Sequence, residues 1–112
     1  MTDHELLEFA AKAAGVKYEH RYQTPNGVEF AGLLLDHGYA NYPPVFWNPL
    51  TDDGDALRLA VSLKLLVDGC SHCAMTTKED IGWCYGGSGD DKFAATRRAI
   101  VRAAAEIGKA MP

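Results

Sequence analysis

The chain has 112 residues, 47% of them hydrophobic and 23% charged, which fits one globular domain over residues 1–112 and argues against a disordered or fibrous chain. Its formal net charge of −4 is opposite in sign to what a general nucleic-acid binder needs to neutralise phosphates. No run approaches the ~18 apolar residues that span a bilayer. The start, Met1-Thr2-Asp3-His4-Glu5, has no basic, apolar leader, so a cytoplasmic protein is expected. There the three cysteines stay reduced.

A first helix is predicted from Asp3 to Ala14. Thr2 and Glu5 have the spacing of a capping box, and Gly15 suits the left-handed residue that ends a helix. Leu6, Phe9, Ala10 and Ala13 fall on one face, with Glu8 and Lys12 one turn apart on the other. Val16 to Tyr22 and Val28 to Leu35 read as strands around the turn signal Pro25-Asn26-Gly27. After a loop from Asp36 to Pro44, Val45 to Trp47 is a short extended piece.

Asn48-Pro49 then halts extension, and Thr51, Asp52 or Asp53 caps a second helix. Leu57, Ala60, Val61 and Lys64 share one side of it, so Leu57 and Val61 are expected to seat it on a sheet. Leu66 to Thr77 and Ile81 to Tyr85 read as another hairpin, with Gly69 a turn or bulge. Gly86 to Asp91 is a connector ending in capping acids. The last helix runs from Asp91 to Ala110, with Phe93, Ile100 and Ile107 recurring every seven residues and Arg98, Arg102, Glu106 and Lys109 opposite.

Helices separated by hairpins imply an α+β fold: a mainly antiparallel sheet covered by three helices, in a three-layer α-β-α sandwich.

Several groups bear on chemistry. Cys70, Cys73 and Cys84 with His72 have the donor types of a Cys₃His zinc site. On a strand, however, residues three apart point to opposite faces, so free thiols are expected and a structural zinc protein is an alternative. No helix follows Cys73 to activate a redox pair, and no motif marks a cysteine nucleophile beside His72, His37 or His20. Gly86-Gly87-Ser88-Gly89 lacks the phosphate-loop pattern, and Asp90 and Asp91 would repel a phosphate. Asp52, Asp53 and Asp55 could hold a hard cation but do not match a calcium loop; capping explains them. Arg97, Arg98 and Arg102 form a basic stretch suited to an anionic ligand or acidic partner, or to a solvated face. Tyr39, Tyr42, Phe46 and Trp47 form an aromatic loop suited to a partner surface or to covering the core edge.

Three stretches, "MTDHELLEFAAKAAG", "WNPLTDDGDALRLAVSL" and "AATRRAIVRAAAEIGKAM", resemble small tailed-phage and prophage proteins of the phage ABA sandwich family, whose function is unknown. The resemblance covers both ends and the centre but none of the cysteines. It implies an alpha-beta-alpha sandwich and a role inside an infected bacterium, and it carries no catalytic residues.

The expectation is therefore a non-enzymatic phage accessory protein that binds a host or phage protein, without cofactor or metal, through Tyr42, Trp47, Asn48, Arg97, Arg98 and Arg102. Self-association into a homo-oligomer is a further option. The alternative is a sponge for a nucleotide signal of host defence, with aromatic stacking and an arginine clamp.

Overall fold

A computed structural model describes residues 2–19, 32–36, 38, 42, 44–76, 84–87 and 91–112. Helix α1 spans Asp3–Ala14, with Thr2 as its N-cap accepting from the Glu5 amide (3.2 Å). Gly15 closes it at φ 71°, a backbone conformation that other residues adopt at a cost. Its buried residues are Leu6, Leu7, Ala10 and Ala11, so the inner face is turned slightly from the expected one; Phe9 and Ala13 sit at its margin.

Strand β1 (Leu33–Asp36) pairs antiparallel with β2 (Val45–Trp47), Leu33 opposite Trp47 and Leu34 opposite Phe46. The segment after Gly15, expected to be strand, has no regular structure over residues 16–19. It still reaches β1 through the Glu19 amide, which donates to the Leu34 carbonyl (2.7 Å). The turn at Pro25-Asn26-Gly27, residues 28–31, His20, His37, Tyr39, the turn at Lys78-Glu79-Asp80, residues 81–83 and residues 88–90 lie outside the described residues.

Helix α2 spans Asp53–Ser62 behind the N-cap Asp52. Its buried residues are Ala56, Leu59 and Ala60, whereas Leu57 and Val61 are 65% and 68% exposed. The expected seat was therefore on the wrong side: the helix meets its neighbours through small residues and one leucine. Lys64, at φ 53°, turns the chain directly into β3.

Leu66–Thr77, expected as one arm of a hairpin with a turn or bulge at Gly69, is two strands parted by a turn over residues 69–72. Strands β3 (Leu65–Asp68) and β4 (Cys73–Thr76) form an antiparallel hairpin with Asp68 opposite Cys73. The Asp68 carboxylate folds the turn by accepting from the amides of Cys70 (2.9 Å) and Ser71 (3.4 Å). His72 completes it in the left-handed region, at φ 53°. Strand β5 (Cys84–Tyr85) pairs with the far edge of β4, giving the order β3-β4-β5.

Helix α3 (Lys92–Ala110) begins at Asp91, whose carboxylate accepts from the amides of Phe93 and Ala94 (3.0 Å each). Three consecutive residues, Ala99, Ile100 and Val101, are buried, and so are Ala103, Ala104 and Ala105. Successive residues on a helix lie about 100° apart, so neighbours enclose α3 on several sides. Phe93, expected in its inner seam, is 61% exposed.

The fold is α+β, with three helices and antiparallel pairing, as the element order implied. Among the described residues the strands divide into two small sheets, and α3 is the common neighbour of α1, α2 and β3–β5.

A methyl group on Gly108 would overlap the Phe9 carbonyl oxygen, and one on Gly86 the Ala95 carbonyl oxygen. Gly108→Val should therefore lower stability by about 3 kcal/mol in urea unfolding, because neither helix backbone can yield. Gly15→Ala, with open space around it but a positive φ, should cost only about 1 kcal/mol.

Candidate functional site

The segment from Trp47 to Arg58 is densely hydrogen-bonded. Trp47 is 7% exposed and lies in the core, facing Leu33 across β1–β2. Asn48 is 8% exposed. Its side-chain oxygen accepts from the Leu50 amide (3.1 Å), and its carbonyl from the amides of Thr51 (3.1 Å) and Asp52 (2.9 Å). Its own amide donates to Asp55 Oδ2 (3.0 Å). Pro49 is fully buried beside it.

The three acids divide the work. Asp52 accepts from the Asp55 amide (2.8 Å) and caps α2. Asp55 ties the helix back to Asn48 and holds Arg58 (2.8 Å). Asp53 meets Arg97 Nη1 (2.7 Å), while Arg97 Nε donates to the Leu50 carbonyl (2.8 Å). The acids thus act as a joint between β2 and α2 that is pinned to α3. Asn48 and Arg97, both expected at a binding site, do meet here, and both are committed to the joint.

The other expected contacts lie elsewhere. Arg98 pairs with Asp3 at the start of α1 (3.1 Å), and Arg102 donates to the Tyr85 carbonyl on β5 (2.7 Å). Each of the three arginines therefore links α3 to a different element, and each guanidinium already has an acceptor within the chain. Tyr42 is 78% exposed. On β2, Val45 and Phe46 are 51% and 43% exposed, and strand alternation turns Phe46 outward where Trp47 turns inward.

The cysteines do not converge. Cys70 is exposed in the β3–β4 turn and Cys73 is buried at the start of β4. Cys73 stands opposite Tyr85, and Cys84 stands opposite Ala74. Cross-strand partners share a face and successive residues alternate, so Cys73 and Cys84 point to opposite sides of the sheet. The expected reason against zinc, a continuous strand, is replaced by this one. Among the described residues no group of three or more His, Cys, Asp and Glu side chains is placed to hold a metal ion. Thr96 donates its hydroxyl to the Lys92 carbonyl (2.8 Å), and the same oxygen lies 3.4 Å from His72 Nδ1.

Burial pushes the Cys73 thiol pKa upward, with Asp68 adding to the effect. Burial does the same for Cys84, where Glu106 raises it and Arg102 lowers it.

A second surface was not anticipated from the sequence. Between α2, β3 and the first turns of α3 lies a groove of about 390 Å³ walled by Leu57, Ala60, Val67, Phe93 and Ile100. Its signal in the sequence is Leu57, which side-chain size assigns to the core and the structure leaves exposed. No helix among the described residues is long and apolar enough to cross a membrane.

Comparison with known protein families, with curated proteins and with solved structures finds no match to this chain.

Asp52→Ala should cost about 1 kcal/mol in urea unfolding, the usual loss for a helix N-cap. Arg98→Ala should cost under about 1 kcal/mol, since Asp3 is more than half exposed and water screens the pair. With a thiol-specific reagent at mildly alkaline pH, Cys70 should label first. Cys73 and Cys84 should follow only at higher pH or on unfolding. Because their folded pKa values are raised, their share of stability is complete below the unfolded pKa and is lost as pH rises through the folded one.

Proposed function

We propose that this protein acts by binding another protein and catalyses no reaction. In this reading it is an accessory protein of a tailed phage or prophage, working in the cytoplasm of the host cell on a host or phage-encoded protein. The observation that carries the binding is the exposed apolar run around β2: Tyr42, Val45 and Phe46 are all exposed although Trp47, next along the chain, is buried. Aromatic side chains supply large contact area at low entropic cost, and they dominate protein interfaces. The phage origin rests on the three stretches quoted above.

The nucleotide reading has less support. It needs an arginine clamp beside a stacking ring, whereas Trp47 is covered and Arg97, Arg98 and Arg102 are engaged by Asp53, Asp3 and the Tyr85 carbonyl. The catalytic reading also has less support among the described residues: of the cysteines only Cys70 is exposed, and the His72 ring contacts Thr96.

The test is capture from a bacterial lysate with wild-type protein and with the Tyr42→Ser/Phe46→Ser double variant. Glu106→Gln, an exposed change on α3, serves as the control. A retained protein should be lost, or bound about tenfold or more weakly, by the double variant and kept by the control. Retention indifferent to the double variant, or no retained protein at all, would remove the proposal.

A further inference from the structure

We draw no further inference here: the strongest candidate, the apolar groove between α2, β3 and the first turns of α3, carries both signs of charge at Asp53, Lys92 and Arg97, and nothing in the structure shows what covers it.

Discussion

The structure depends on the close approach of α1 and α3. The contact is made where Gly108 lets α3 reach the Phe9 backbone, with Ala10 and Ala11 buried on one helix and Ala103, Ala104 and Ala105 on the other. Small residues allow a short interaxial distance and many dispersion contacts, but they leave no slack. Asp3 meets Arg98 near the start of α3, Phe9 meets Gly108, and the Lys12 ammonium donates to the Met111 carbonyl (3.1 Å). The order of these contacts shows that the two helices run in the same direction. The rest of the chain must then return from one end of the pair to the other. It does so through the two hairpins and α2, which fill the remaining sides of α3.

A helix enclosed in this way has a narrow exposed stripe, and its long cations reach across to its neighbours. Arg97 takes the joint before α2, Arg98 takes α1 and Arg102 takes β5. Each pair has a solvated partner, so none adds much stability. Their effect is geometric. A guanidinium fork bonded to a backbone carbonyl, as at Leu50 and Tyr85, fixes where a neighbouring loop crosses the helix. That is why a basic run which reads as a ligand clamp in the sequence acts as internal bracing in the fold.

Helix ends were legible because their signals are local. Thr2 and Gly15, Asp52, and Asp91 each mark a terminus through hydrogen bonds or backbone conformation confined to a few residues. Helix faces were less legible. In α2 the buried side is Ala56-Leu59-Ala60, and a periodicity argument weighted by side-chain size chooses Leu57 and Val61 instead. The β3–β4 turn was legible at Gly69 but its construction was not: the left-handed residue that finishes it is His72, where a glycine is the usual sign, and the preceding Asp68 folds it by side-chain bonds. The aromatic loop was legible as a group but not residue by residue. Strand alternation decides that Trp47 turns in and Phe46 out, and the inward side was set by pairing with Leu33 in β1, distant in sequence.

Trp47 ends β2 and Asp53 begins α2, with the bonded turn of Asn48 between them. Both exposed apolar surfaces therefore hang from one rigid corner: the aromatic side of β2 before it and the outer ridge of α2 after it. Asp55 binds the Asn48 amide from inside the helix, so α2 cannot rotate without breaking the turn that also directs β2. The corner performs no chemistry. It sets the angle at which two uncovered surfaces are presented, and that makes a buried asparagine whose amide, carbonyl and side-chain oxygen are all bonded worth keeping where an apolar residue would pack as well.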